Sequence, residues 1–166
     1  MNSISVRLLT PADAEAYRSV RLLALDEQPF AFGSLPEDEP NLLETAARLV
    51  ESDDRCFFGA FQAEEIIGII RLSRYSASNE KHRAYLGGLY VLPPFRCQGF
   101  GRALIQEALS RAANTPGIRR VSLTVVTQQV GAIHLYQSLG FRIYGTEQET
   151  FSRDGQFYDE YLMTLT

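Results

Sequence analysis

The residues with chemistry in their spacing lie between Val91 and Arg102, in the run Pro93-Pro94-Phe95-Arg96-Cys97-Gln98-Gly99-Phe100-Gly101-Arg102. Two prolines remove backbone donors and stop the strand that precedes them. From Phe100 onward, Phe100, Leu104, Ala108 and Ala112, flanked by Ile105 and Leu109, recur at helical spacing, with Arg102, Gln106 and Arg111 outside the stripe. A helix starting here leaves its first N–H groups unpartnered, and its macrodipole favours an anion at that end. Gly99 and Gly101 let a phosphate approach bare backbone, while Arg96 and Arg102 bracket the loop with positive charge. The chemistry implied is the seating of a diphosphate. The competing reading of the same residues is a glycine-rich turn with solvated arginines. No Lys-Ser or Lys-Thr follows the glycines and a third glycine is missing, which excludes a Walker loop and a dinucleotide fingerprint.

The elements that must position this loop follow from patterning. Arg83 to Val91 reads as a strand with Gly87 and Gly88 inside it, and paired glycines there predict a bulge that leaves backbone groups free for a ligand. Ahead of it, Ile4, Val6 and Leu8 alternate as a short strand. Thr10 and Pro11 start a helix whose packing stripe is Ala14, Tyr17, Arg21, Ala24 and Leu25. Gln28 to Pro40 is a loop. Leu42, Leu43, Ala46, Leu49 and Val50 form a second amphipathic stripe, and Cys56–Phe61 with Ile66–Ser73 form a hairpin. After the central helix, Val121 to Val125 is a strand reached by a right-handed parallel crossover. Gln129 to Leu139 is a helix carrying Gln129, Ala132 and Tyr136 on one face, closed by Gly140 and Phe141. Two last strands pair across Asp154-Gly155.

Val91-x-Pro93-x-x-Arg96-x-x-Gly99-x-Gly101 resembles the acyl-coenzyme A signature of the GNAT superfamily of N-acetyltransferases, and Ala132-x-x-Leu135-Tyr136-x-x-x-Gly140-Phe141 resembles that family's downstream motif. The resemblance implies an α/β (α+β) fold with a mixed, mostly antiparallel sheet, a splayed parallel central pair and about four flanking helices, spanning residues 1–166 as one domain. It implies acetyl-CoA as co-substrate, its pantetheine arm along Leu89, Tyr90 and Val91 and beside Gln129. Its pyrophosphate would lie on the N–H groups of Cys97, Gln98, Gly99, Phe100, Gly101 and Arg102, with Arg96 beside it as a bracketing charge. Tyr136 matches the position that protonates the departing sulfur. Two departures stand out: Gln129 occupies a position that is often asparagine, and Tyr85 occupies the place where many members carry a glutamate base. The base stays open between Glu160, Tyr85 acting through water, and no protein base.

Composition narrows the remaining classes. With 45% hydrophobic and 22% charged residues over 166 positions, the chain can bury a substantial core. A net charge of −4 argues against nucleic acid as partner, and no apolar run approaches the ~20 residues needed to span a bilayer. The expected location is cytoplasmic. Cys56 and Cys97 with His82 and His134 make neither a disulfide framework nor a metal site. Arg111, Arg119 and Arg120 read as a solvated face or, by the resemblance, as neighbours of the adenosine 3′-phosphate.

The reading is therefore an acetyl-CoA-dependent N-acetyltransferase acting on a primary amine, peptide or small molecule, by direct transfer in a ternary complex. The alternatives are a catalytically silent acyl-CoA-binding sensor or partner subunit, and a nucleotide-binding domain using the same loop. For the acceptor, Glu37, Asp38, Glu39, Asp159 and Glu160 are candidates to attract a cationic amine, with Phe30, Phe32, Tyr75, Tyr85 and Tyr158 as an apolar approach. The last strand is compatible with a homodimer.

Overall fold

The structure is a computed structural model that describes residues 3–28, 31–32 and 34–166. Its elements in chain order are β1 (Ser5–Leu8), α1 (Ala14–Glu27), α2 (Leu42–Arg48), β2 (Arg55–Gln62), β3 (Glu65–Arg74), β4 (Arg83–Val91), α3 (Phe100–Asn114), β5 (Arg120–Val126), α4 (Val130–Ser138), β6 (Arg142–Arg153) and β7 (Gln156–Leu165). The strands form one sheet in the order β1-β2-β3-β4-β5-β7-β6. Every neighbouring pair is antiparallel except β4 and β5.

The central strands read as continuous apolar runs because both faces of the sheet are covered. On one face Leu104, Ile105 and Ala108 of α3 pack with Phe58, Ile70, Leu72, Leu86 and Leu123. On the other, Ala14, Val20 and Ala24 of α1 pack with Phe57, Phe61, Ile69 and Tyr90. The α2 stripe does not bury as its pattern predicts. Leu42, Leu43 and Val50 are exposed, and the docking falls to Thr45 and Leu49. Seven residues make only about two turns, so α2 lays down one contact near its end rather than a full face. Among the described residues, no helix is long and apolar enough to cross a membrane.

Two irregularities create the site. The β3–β4 register jumps from Ile69↔Tyr90 to Arg71↔Gly87, so two residues of β4 oppose one of β3, with Gly88 at φ +66°. This is the bulge that the paired glycines predict. The parallel β4–β5 ladder consists of Arg83↔Arg120, Ala84↔Val121 and Tyr85↔Ser122 and ends there. β5 continues against β7 as far as Val126↔Glu160. The bulge bends β4 away while β7 holds β5 in place, and the sheet opens into a fork.

Candidate active site

Two cavities meet at the fork. A groove of about 530 Å³ runs along Leu89, Tyr90 and Val91 to the glycine loop and the start of α3. A second cavity of about 360 Å³ lies deeper, against Tyr85, Thr124, Tyr136 and Glu160. Gln28, Leu89, Gln129 and Ala132 line both, so a ligand in the groove reaches the deeper cavity at that junction.

The loop has the backbone geometry of an anion cradle. Cys97 at φ 59° and Gly99 at φ 92° turn it sharply into α3. The first helical bond joins the Ala103 N–H to the Gly99 carbonyl at 3.0 Å, which leaves the N–H groups of the preceding turn without helical partners. A Cβ on Gly101 would sit 3.3 Å from Leu135 Cδ2, so that glycine lets α3 approach α4 closely. Phe100 points its ring into the core against Phe95, centroids 6.2 Å apart, and offers the loop only its backbone. Gln98 Nε2 donates to the Pro94 carbonyl at 3.0 Å, and the Cys97 side chain is exposed.

Both bracketing arginines have protein partners. Arg96 donates from Nε to the Val91 carbonyl at 2.8 Å and pairs with Glu27 at 2.8 Å. Glu27 also accepts from the Tyr90 hydroxyl, and burial and then Glu27 push the Tyr90 phenol up to about 12. Arg96 thus clips the end of β4 to the end of α1, and its charge borders the groove from a fixed position. Arg102 donates to Ser138 Oγ at 2.7 Å and ties α3 to α4. Arg111 lies toward the far end of α3, about 17 Å from the helix start at 1.5 Å per residue, and pairs with Glu51 at 2.6 Å. Arg119 and Arg120 stand at the opposite end of β5 from the fork. None of the three lines the groove.

Tyr136 is held by the end of its own helix. The Phe141 N–H donates to the Tyr136 carbonyl and the Gly140 N–H to that of Gln137, both at 3.1 Å, with Gly140 at φ +98°. This is a Schellman cap. Its hydrophobic contact is the Tyr136–Phe141 edge-to-face pair, centroids 5.9 Å apart. The Tyr136 side chain is buried, and desolvation first, with Tyr85 second, holds its phenol far above the usual tyrosine value. It is a protonated hydrogen-bond donor at neutral pH. Across the cavity the Tyr85 hydroxyl lies 2.9 Å from Thr124 Oγ1, and the Thr124 side chain acts on the Glu160 carboxyl in favour of its ionised form. Glu160 is buried, and desolvation raises its carboxyl above the ordinary range, with Glu147 adding to the shift.

The acceptor residues distribute unevenly. Phe32, Tyr85 and Glu160 line the deeper cavity, while Tyr158 and Glu37 line a neighbouring recess of about 490 Å³. Tyr75 lies under Arg83, 4.1 Å from its guanidinium, and Phe30 falls outside the described residues. The acidic opening expected from sequence does not form as a cluster. Glu39 pairs with Arg21 at 3.2 Å, Asp159 accepts from the Glu149 N–H at 2.8 Å, and Glu160 is the one carboxylate of the five in the cavity wall.

A model of the Acetyltransferase (GNAT) family matches residues 18–141, a span containing the loop, the fork and the Tyr136 cap. The chain belongs to the GNAT acetyltransferase family. It is 27% identical over 99 residues to an L-amino acid N-acetyltransferase of Escherichia coli K12, a match covering 60% of this chain and 60% of that relative's length. A GNAT-family acetyltransferase structure from Streptococcus pneumoniae superposes with a TM-score of 0.89 at 25% identity, covering 98% of this chain and 99% of that one. The fold is also that of yncA from Salmonella typhimurium, solved with acetyl-CoA, at a TM-score of 0.85 and 18% identity, covering 99% and 94% of the two chains. Within this GNAT chain, sequence reading missed Thr124 and Arg71 as cavity residues and took Arg21 only as part of a packing stripe. A signal was present in both arginines. Each places a charge in a buried apolar pattern, Arg21 beside Tyr17, Ala24 and Leu25, and Arg71 two residues after Ile69 on the same strand face.

Proposed function

We propose that the protein is an N-acetyltransferase that moves an acetyl group from acetyl-CoA to a primary amine, on a small molecule or a peptide, by direct transfer in a ternary complex. The observation that carries this reading is the parting of β4 and β5 beyond Tyr85, with a groove from the glycine loop that joins the deeper cavity lined by a buried, protonated Tyr136. The groove fits a long phosphorylated thioester. Unpaired N–H groups stand at one end, a bulged strand edge runs along its length, and the loop lacks side-chain bulk at Gly99 and Gly101. Acetyl-CoA supplies an activated acyl group on a sulfur leaving group.

This chain's residues do the rest. The N–H groups from Cys97 to Arg102 hold the diphosphate, the β4 edge at Leu89 to Val91 and the Gln129 amide align the arm, and the Tyr136 hydroxyl delivers its hydrogen to the departing sulfur. Tyr85, Thr124 and Glu160 form the path that takes the proton from the incoming amine, with Glu160 as its terminus. Cys97 is exposed in the phosphate loop, away from the junction of the cavities, so no acyl-enzyme forms on it. The protein acts in the cytoplasm, with neither nucleic acid nor membrane as partner.

Tyr136→Phe tests the assignment. The expected result is a fall in turnover of about 100-fold at neutral pH, the scale of a lost general acid, with coenzyme A affinity by calorimetry within a few fold of wild type. Turnover like wild type would remove Tyr136 as proton donor. Coenzyme A binding with no thiol release on any amine would make the protein a sensor instead.

A further inference from the structure

The deeper cavity holds two arginines that the transfer chemistry does not use. Arg21 comes from α1 and is only 9% exposed. Its Nε meets Glu39 Oε1 at 3.2 Å and its guanidinium lies 5.1 Å from the Phe32 ring, yet among the described residues its Nη1 has no hydrogen-bond partner. Arg71 comes from β3. Its buried Nε is likewise unpartnered, and Arg71 forms no ion pair among the described residues. Burial is the largest influence on it and lowers its affinity for its proton; Tyr17 and Tyr85 act the other way, and the nearby formal charges, Arg21 and Arg48, are both cations. Glu39 therefore pairs with Arg21 alone, and Arg71 has no carboxylate partner among the described residues. A buried cation left without an anion is costly, and an unmade buried donor adds to that cost.

Both tips reach the bulge. A Cβ placed on Gly87 would lie 3.0 Å from Arg71 Nη2, and one on Gly88 would lie 3.7 Å from Arg21 Nη1. The two guanidiniums thus reach neighbouring glycines of β4, a stretch of strand with no side chains, and both line the same cavity, where Arg21 acts on Arg71 electrostatically. The same cavity is lined by Thr124, Tyr136 and Glu160, and Tyr85 stands beside Arg71 at Gly87. It thus combines cationic groups with free donors and the groups assigned to proton transfer, and a volume of about 360 Å³ suits a small molecule.

We propose that the acceptor is a small amine carrying a carboxylate within one or two bonds of its nitrogen, the pattern of a free α-amino acid, and that Arg21 and Arg71 bind that carboxylate while the amine faces Tyr85 and Glu160. The proposal rests on the acetyltransferase reading above and names the acceptor class for it. Two forked guanidiniums match a carboxylate geometrically and repel polycations that lack one. A peptide N-terminus, whose nearest carbonyl is an amide, leaves the same donors unsatisfied.

The test is thiol release at saturating acetyl-CoA with three acceptors sharing one side chain: an L-amino acid, its amide and its decarboxylated amine. The expected result is a kcat/KM for the amino acid at least about thirtyfold above the other two, in line with charge-assisted hydrogen bonds to a buried carboxylate. Arg71→Met should bring the amino acid down to the level of its amide, chiefly through KM. Equal rates for all three acceptors would overturn the proposal and leave the acetyltransferase reading intact. If coenzyme A binds but no acceptor reacts, the transfer reading fails, and thermal shift then decides the subsite. Stabilisation of the coenzyme A complex of wild type by the amino acid but not its amide, lost in Arg71→Met, would uphold it. No such stabilisation would sink it.

Discussion

Glu160 and Tyr136 face the same cavity, and burial drives both pKa values upward. In the transfer proposed above, that keeps Tyr136 protonated as the donor and makes Glu160 a stronger base, whose ionised form would be the active one. The acid limb of kcat/KM against pH should therefore fall with a midpoint above the usual carboxylate range, and Glu160→Gln should abolish that limb while lowering the plateau at least tenfold. A limb unchanged in Glu160→Gln would assign it to another group. Stability runs the other way. Burial favours the protonated carboxyl, so its contribution is present at low pH and lost as pH rises through the raised folded-state value. Glu160→Gln should accordingly gain on wild type in thermal midpoint between acidic and neutral pH. These two roles differ in how far the sequence announced them. Tyr136 was legible because Gly140-Phe141 follows it at the spacing of a cap, whereas the link from Tyr85 through Thr124 to Glu160 joins three strands and has no local spacing to read.

At the scale of elements, the Tyr136 side chain is placed by the backbone turn that ends α4, together with its ring contact to Phe141. The Schellman cap fixes the last turn of α4, and the cap depends on Gly140 at φ +98°. An L-residue in that region costs about 1–2 kcal/mol, and a Cβ there would meet Leu165 Cδ1 at 3.1 Å. Gly140→Ala should therefore lose about 1–2 kcal/mol in urea unfolding and reduce kcat more than coenzyme A affinity, because Tyr136 moves while the loop stays. Unaltered stability and kcat would show that the cap does not position the phenol. The strands, α1, α3 and α4 were legible from periodicity, as was the β4 bulge from its two glycines. The α2 stripe misled, since Leu42 and Leu43 fit a buried helix face in sequence but stand in solvent when the helix stops after seven residues. Arg71 announced itself only as a charge after the run Ile-Ile-Gly-Ile-Ile; that it meets Arg21 of α1 and Gly87 of β4 in one cavity follows from long-range packing, which no local pattern reveals.

On the scale of the whole molecule, one half of the sheet carries the loop and the other carries β7, and three register pairs between β4 and β5 join them. That short seam is what makes room for a ligand without opening either core. Net charge on the chain is −4, yet the cavity wall at the fork concentrates two arginines, so the acidic surface hides a locally cationic site that composition alone did not disclose. The clip from Glu27 through Arg96 to Val91 fixes the end of β4 where it borders the groove, using protein partners alone. The most direct measurement is a crystal structure of the protein grown with coenzyme A. The account predicts the diphosphate against the N–H groups of residues 97–102, the pantetheine arm along Leu89 to Val91, and the sulfur within hydrogen-bond reach of the Tyr136 hydroxyl. Coenzyme A bound elsewhere, or a sulfur pointing away from Tyr136, would contradict it.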